Sequence, residues 1–376
     1  MTLNQKNVLL VDGLTRAGSA IARALKCSGD FRIDVAVTKR TFSNTIRRMI
    51  DFHHIDSIHP VGCTLYDSSF SDRLIDIVIR NNTDIVIPTG SSPVLISKIK
   101  PQLEKLCTVL IEDYEKVLTF HDKSKTTAIA KRSGVPHPAT WLPQNVGEVK
   151  KLAGEITYPL VIKARKGSGA RGVWYASNRS ELIRLYSRAT GRHNIGDGFL
   201  HDSSRPMLQE YIPGKLHDVT AFCINGEMKL GLTQKRLLTK PLSGGRGIVN
   251  VTTKNEQLLH YAGKIIDSVR WNGVILMDFI IDDRDGQPKL LEINPRFWGT
   301  TGLTIKAGYN YPYYLILDAY GVKIDYPSDY EKGLYCRWPV QELFTVFEKP
   351  FDMRVVSDRL KGFISRFRLK NCTYQF

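Results

Sequence analysis

The stretch "KLLEINPRFWGTT" (residues 289–301) threads an acid, an amide and a guanidinium through an otherwise apolar strand. Leu290, Leu291 and Ile293 read as buried sheet, with Glu292, Asn294 and Arg296 at every second position. Side chains alternate along a strand, so these three polar groups project to one side while the chain stays extended. Such a row is costly to bury unless something binds there. The preceding run "GVILMDFII" (273–281) is joined to it by "DDRDGQP", which predicts an antiparallel hairpin with its tip at Asp285-Gly286. Centring the loop on Asp285 sets Asp278 opposite Glu292, with Leu276 and Ile280 on the Asp278 face. Two facing carboxylates repel on a largely apolar face, and a hard divalent cation such as Mg²⁺ removes the conflict. Asn294 adds a neutral oxygen, and the planar fork of Arg296 suits a phosphate. The row reads as a metal–phosphate site; a surface hairpin with solvent-facing acids is the alternative.

A second group of residues has anion chemistry. "KARKGSGARG" (163–172) holds three glycines and four cations, and backbone N–H groups in such a loop can wrap anionic oxygens. No GK[ST] follows, so it is not a Walker A loop, and a plain basic turn is the alternative. Lys163 follows "LVI" inside the preceding strand, a setting in which a lysine needs an anionic partner. "GLTRAG" (13–18) departs from G-x-G-x-x-G, and the next strand ends in "TKR" rather than an acid, which argues against a dinucleotide. That turn suits tight strand–helix packing or a small anion. His53, His54 and His59 fit no standard metal spacing, so a structural or surface role is favoured.

These groups need elements to position them. "NVLLVDG" (7–13), a helix over 15–29 and "RIDVAVT" (32–38) form a βαβ opening, which predicts a parallel sheet. A helix at 71–82 and strands at 84–90 and 109–113 complete a compact α/β domain over 1–118. "HDKSKTTAIAKRSGVPHPAT" (121–140) reads as a connecting helix stopped by Gly134 and Pro136. Beyond it the pattern turns to hairpins: strands within 158–177, at 206–212, 218–226 and 227–239, the last two around an Asn225-Gly226 turn. Helices fall at 180–190 and 255–271.

Composition narrows the class. The chain of 376 residues is 42% hydrophobic and 24% charged, which favours two or three folded domains. No signal peptide is read at the start, and the longest apolar run, "VILMDFII", is far short of the ~20 residues that cross a bilayer. Six scattered cysteines without a CxxC pair suggest neither a disulfide framework nor structural zinc, and make a reducing cytoplasm the expected compartment. The net charge of +16 fits nucleic acid, an anionic membrane or anionic substrates, but the basic clusters at 39–48 and 359–370 contain no nucleic-acid motif.

Five segments in order resemble the ATP-grasp superfamily: "HDKSKTTAIAKRSGVPHPAT", "YPLVIKARKGSGARGV", "LQEYIPGKLHDV", "VILMDFII" and "LLEINPRFWG". They are similar in particular to the carbamoyl-phosphate-synthetase-like and biotin-carboxylase-like branch, with its carboxylate–amine ligases. The resemblance implies an α/β pre-ATP-grasp domain (1–118), an α+β ATP-grasp domain (119–330) with a lid at about 140–207, and a basic C-terminal extension (331–376). It implies that Lys123 and Lys163 contact phosphate, and that Lys166, Gly167, Ser168, Gly169 and Gly172 belong to the loop closing over it. Gln209, Glu210, Tyr211 and Ile212 would hold adenine. Asp278, Glu292 and Asn294 match the metal ligands, and Arg296 matches the arginine on the transferred phosphoryl group. Leu216 stands where many members carry an acid for ribose, leaving His217 or Asp218 to substitute, and Asp278 is shorter than the Glu or Gln usual at its position.

The implied reaction uses ATP with two Mg²⁺ ions, or Mn²⁺ in their place, to join a small carboxylate, with amino acids as the candidate class, to an amine through an acyl phosphate, releasing ADP and phosphate. A homodimer and a cytoplasmic enzyme are the expected setting, with no specific nucleic acid. Arg236 and "SGGRG" (243–247) lie between the nucleotide and metal segments and are expected to face the acyl group; a surface loop is the alternative for the latter. The competing readings are a carboxylase- or kinase-type member of the superfamily and a basic nucleic-acid-binding protein, whose affinity would fall steeply with salt.

Overall fold

The computed structural model describes residues 5–29, 31–38, 53–167, 172–190, 205–242, 244–346, 353–368 and 371–374. The first unit runs β1 (Lys6–Val11), α1 (Arg16–Ser28), β2 (Phe31–Val37), β3 (Ser57–Pro60), α2 (Phe70–Arg80), β4 (Ile85–Pro88), α3 (Pro93–Leu103) and β5 (Thr108–Val109). Its strands form a parallel sheet in the order β3-β2-β1-β4-β5. Both faces are buried, Val8 and Leu10 on one side and Leu9 and Val11 on the other, which is why β1 reads as an unbroken apolar run. Thr15 caps α1 by accepting a hydrogen bond from Gly18 N. A Cβ at Gly18 would lie 1.9 Å from Gly13 O, so the glycine there serves close helix–strand packing. The strand expected over 109–113 is shorter than the pattern suggested, because only Thr108–Val109 pairs with β4.

Helices α4 (Tyr114–His121) and α5 (Lys123–Arg132) lead into a small antiparallel sheet. It contains β6 (Thr140–Trp141), β7 (Leu160–Lys163), β8 (Val173–Ala176) and β9 (Met207–Glu210), in the order β6-β9-β7-β8. Helices α6 (Val146–Leu152) and α7 (Arg179–Thr190) cover one side of it, closing a core of Val149, Leu160, Ile162, Leu182, Tyr186 and Leu208.

The third unit contains β10 (Gly214–Ile224), β11 (Glu227–Lys240), β12 (Arg246–Thr253), α8 (Glu256–Val269), β13 (Gly273–Asp282), β14 (Pro288–Asn294), α9 (Thr301–Lys306) and α10 (Tyr311–Ala319). It continues through β15 (Tyr335–Arg337), α11 (Pro339–Val346), α12 (Met353–Ser365) and β16 (Cys372–Tyr374). The sheet order is β14-β13-β10-β11-β12-β15-β16, so the segment after 331 extends the central sheet. Asn225 and Gly226, at φ 51° and 87°, make the tight β10–β11 turn.

The two faces of this sheet have different partners. Val219, Ala221, Met277 and Phe279 pack under α8 and α5 through Leu258, Ala262, Ile265 and Ile129. Phe222, Leu232 and Leu276 point the other way and share one core with α1, α9 and α10. The first unit therefore packs directly on the second face, beside the charged row. None of the six cysteines is in a disulfide. No helix among the described residues is long and apolar enough to cross a membrane.

Candidate active site

Strands β13 and β14 pair from their tip with Ile281 opposite Pro288, Ile280 opposite Lys289 and Phe279 opposite Leu290. One residue is then bulged out of register, and Asp278 falls opposite Glu292. Without the bulge Asp278 would face Leu291, and every side chain beyond it would change sides. Next across the sheet, Asp278 is opposite Asp218 on β10, Asp218 opposite Gln234 on β11, and Gln234 opposite Thr252 on β12. Cross-strand neighbours share a face, so Glu292, Asp278, Asp218, Gln234 and Thr252 form one polar line.

The β14 end of this line is cationic. Lys123, at the start of α5, places Nζ 3.4 Å from Glu292 Oε2 and donates to Gly167 O at 2.9 Å. Lys163, at the end of β7, is 8% exposed. Burial, reinforced by Lys123, pushes its ammonium down to about 8 against the pull of Glu292 and Asp278. Burial would raise the Glu292 carboxyl, but Lys123 and Lys163 outweigh it and hold the group below the usual range. Asn294 Nδ2 donates to Glu292 Oε1 at 3.2 Å, and Arg296 donates to Asn294 Oδ1 at 3.1 Å and to Phe297 O at 3.0 Å.

Asp278 is in the opposite situation. Burial, with Asp218 and Glu292 nearby, raises its carboxyl, and Arg236 opposes that shift. Oδ2 lies 2.7 Å from Arg236 Nη2, while Oδ1 is buried with no hydrogen-bond partner among the described residues. An unsatisfied buried carboxylate oxygen facing a second carboxylate, with an amide oxygen on the same strand, is a donor set that fits a hard cation. No group of three His, Cys, Asp or Glu side chains assembles among the described residues, so such an ion would also need oxygens from a bound anion.

Arg236 holds this part of the face together. It grips Asp218 through Nη2–Oδ1 at 2.5 Å and Nε–Oδ2 at 3.1 Å, and donates to Gly245 O at 2.8 Å. Gln234 Nε2 donates to Asp218 Oδ2 at 2.7 Å and to Thr300 Oγ1 at 2.8 Å. The guanidinium is thus bound to two carboxylates and a carbonyl of its own chain, rather than held open for a ligand.

Other expected residues fall around this centre. Gln209 is buried and donates to Thr140 Oγ1 at 3.1 Å; Ile212 is buried; Tyr211 is 38% exposed and meets Tyr175 edge-on at 6.1 Å. Glu210 accepts from Arg284 at 2.6 Å and from Ala139 N at 3.1 Å, joining the small sheet to the β13–β14 tip. Lys166 precedes Gly167, and Gly172 O accepts from Ala164 N at 2.9 Å, closing the base of the loop. Ser168, Gly169 and the 39–48 cluster lie outside the described residues. The ribose expectation needs correction. His217 is opposite Phe279 on the other face of the sheet, where burial and Lys235 push its imidazole down to about 4. Asp218 is on the right face, but both its oxygens are occupied by Arg236 and Gln234. Gln234, Thr300 and Asn250 were not anticipated, since neutral polar residues in short strands give no charge signal.

Comparison with known proteins now bears on this geometry. Residues 122–199 match the model of the carbamoyl-phosphate synthase L chain, ATP binding domain. Residues 203–341 match that of the ATP-grasp in the biosynthetic pathway with Ter operon. The chain belongs to the ATP-grasp superfamily.

Among curated relatives of this ATP-grasp chain, the 2-oxoglutarate carboxylase small subunit of Hydrogenobacter thermophilus is 25% identical over 208 residues, 53% of this chain and 42% of that one. The carbamoyl phosphate synthase large chain, N-terminal section, of Methanopyrus kandleri is 24% identical over 262 residues, 66% of this chain and 43% of that one. The chain therefore spans less than half the length of either. The biotin carboxylase domain of the Hydrogenobacter thermophilus enzyme, in complex with MgADP, ADP and bicarbonate, has the same fold at a TM-score of 0.71 and 20% identity, covering 87% of this chain and 73% of that one. The N5-carboxyaminoimidazole synthetase from Staphylococcus aureus, complexed with ADP, superposes at 0.65 with 15% identity, covering 89% and 82%.

Proposed function

We propose that the protein is an ATP-dependent ligase that joins a carboxylate to an amine through an acyl phosphate, releasing ADP and phosphate. The observation that carries this reading is the pairing of Asp278 with Glu292 on one sheet face, with Lys123, Lys163 and Arg296 arranged around it. The site has charge-neutralising groups in quantity, as phosphoryl transfer requires, and among its described residues no Ser–His or Cys–His pair for covalent catalysis.

In the first step a substrate carboxylate oxygen attacks the γ-phosphorus; a P–O bond forms and the bond to the β-phosphate oxygen breaks. In the second, the amine lone pair forms the C–N bond, the phosphate leaves with its electron pair, and the nitrogen loses a proton. Lys123 and Lys163 would hold phosphate oxygens, and Arg296 would steady the acyl phosphate. Magnesium held by Asp278, Glu292 and Asn294 would supply Lewis-acid neutralisation of the phosphates. Two ions, with manganese able to substitute, fit this donor set only if phosphate oxygens complete it. By analogy with the biotin carboxylase domain dimer of Hydrogenobacter thermophilus, the enzyme would work as a homodimer. Six cysteines outside any disulfide suit a reducing cytoplasm.

A second reading has bicarbonate as the phosphorylated carboxylate, which the likeness to that bicarbonate-bound domain favours. One experiment tests both. The protein is incubated with Mg-ATP and a matrix of carboxylates, bicarbonate included, and amines, and the products are separated. ADP and phosphate that require both partners support the ligase; bicarbonate as the sole required acid selects the second reading; AMP and pyrophosphate overturn the acyl-phosphate mechanism.

A further inference from the structure

The C-terminal helices leave apolar side chains uncovered. Of thirteen exposed large apolar residues among the described residues, six are on α11, on α12 and on the 3₁₀ turn Arg366–Arg368 that follows it. Single exposed apolar residues are ordinary on a protein surface, but a concentration of them marks a contact with something else. Val340, Leu343 and Phe344 are at i, i+3 and i+4 on α11, and Leu360, Ile364 and Phe367 are at i, i+4 and i+7 along α12 into that turn. Each set forms one stripe along its helix. Phe344 is 62% exposed and Ile364 56%. The other sides of both helices are already in use. Glu342, buried on α11, accepts from Arg337 of β15 at 2.7 Å and from Arg366. Arg359 donates to Thr345 O at 3.3 Å, and the Arg337 guanidinium lies 4.5 Å from the Phe367 ring. Residue 342 meets 366 and residue 345 meets 359, so the helices form an antiparallel pair fixed to the central sheet, with the stripes left outward.

Cations border the stripes. Lys240, at the end of β11, places Nζ 5.0 Å from the Phe344 ring and is opposite Arg246 on β12. Like charges facing each other across a sheet repel, and an external anion relieves them. Lys361, next to Leu360 on α12, is exposed, with Asp358 3.8 Å away. Over residues 351–376 the sequence has six Lys and Arg against two acids. This balance sets the sign of the partner. In a two-fold dimer the same patch meets itself, so a second copy on this face would set cation against cation. An anionic surface that also accepts apolar side chains answers both halves of the pattern, and a bilayer with acidic headgroups is such a surface. Helix ridges with projecting Leu, Ile and Phe side chains enter it without a matching groove.

We propose that α11, α12 and the end of β11 form a docking face for an anionic membrane surface. The two apolar stripes enter the boundary between headgroups and acyl chains, while Lys240 and Lys361 meet the acidic headgroups. This is attachment at the surface and not a span, in keeping with the helix lengths. The face contains none of the residues assigned to ATP or metal, so the proposal stands apart from the ligase reading and is tested without turnover.

The test is cosedimentation of the whole chain with vesicles. Vesicles of equal parts phosphatidylcholine and phosphatidylglycerol are compared with phosphatidylcholine alone, at about 0.1 M salt. The protein is expected to pellet with the anionic vesicles and to bind the neutral ones at least about tenfold more weakly. Phe344→Ser with Ile364→Ser removes one apolar side chain from each stripe and should weaken binding to the anionic vesicles at least about tenfold. Lys240→Glu with Lys361→Glu should weaken it at least about tenfold as well. Circular dichroism checks that each variant is folded, and the charge-reversed pair decides the matter if the apolar pair does not fold. Failure to pellet with the anionic vesicles, equal pelleting with the neutral ones, or normal binding by either folded variant overturns the proposal. So does an oligomer in gel filtration that Phe344→Ser with Ile364→Ser dissociates, which would give the face to a second copy. Binding to soluble polyglutamate in place of the vesicles would give it to an acidic protein, and equally overturns the membrane.

Discussion

The two ends of the polar sheet face solve the problem of burial differently. Around β13 and β14 the side chains are charged, and nearly every charge has a protein partner: Lys123 with Glu292, Arg236 with Asp218 and Asp278, Arg296 with Asn294. On this face Asn250 of β12 and Trp338 just after β15 are neutral, and their side-chain polar atoms have no partner among the described residues. The difference follows from cost. An unpaired buried ion costs several kcal/mol, whereas an unpaired amide or indole N–H costs about 1–3 kcal/mol. Buried charges are therefore neutralised by the protein's own residues, while buried neutral groups can be left unsatisfied at a smaller cost. Asp278 Oδ1 is the exception at the charged end, and the cation proposed there would satisfy it.

The largest test of this contrast is Glu292→Gln. It removes the anion that Lys123 and Lys163 share, and one of the two facing carboxylates. Nucleotide-dependent turnover, followed as ADP release, should fall by about 10²–10³-fold. The far-ultraviolet circular dichroism should be unchanged. Full activity in this variant would dissociate the carboxylate pair from catalysis.

Stability should separate the two ends next. Arg236→Met leaves Asp218 and Asp278 buried without their cation, and should lower unfolding free energy by about 3–5 kcal/mol in a denaturant titration. Asn250→Leu deletes an amide that makes no protein hydrogen bond, so the same titration should move by less than about 1 kcal/mol in either direction. Equal losses in the two variants would mean that the charged and neutral ends are built alike.

The same contrast explains what could be read in the sequence. Charges that alternate within apolar strands are conspicuous, so Glu292, Asn294, Arg296 and Asp278 stood out. Centring the hairpin on Asp285 set Asp278 opposite Glu292, although the strand end pairs one residue out of that register and a bulge restores it. Alternation also tells His217 from Asp218: only one of two successive strand residues shares the face of Asp278. The strands β12, β15 and β16 gave no comparable signal. They are short or follow a Gly-rich loop, and they become strands by pairing with chain far away, as Val249 does with Arg337. Asn250 and Trp338 are legible only after that pairing is known.

The smallest effect is expected at the rim, where the arginine of the ion pair is half exposed and a second cation backs it up. Asp282 accepts from Arg284 and Lys289, and Arg284 also reaches Glu210 on β9, so this cluster ties the small sheet to the β13–β14 tip. The Arg284 hydrogen bond, followed by that from Lys289, holds the Asp282 carboxyl well below the usual carboxylate range against the effect of burial. A depressed carboxylate contributes stability that is present above its unfolded pKa, about 4, and is lost as pH falls from there through the folded value. Arg284 is half exposed, so solvent screens much of its contribution, and Lys289 remains when it is removed. Arg284→Ala should therefore lower the melting temperature slightly at neutral pH, and the gap from the parent protein should close as the pH is taken from 5 toward 2. A gap that persists unchanged at the acid end would show that Arg284 acts there through packing of its stem, and the rim would then resemble the neutral end of the face.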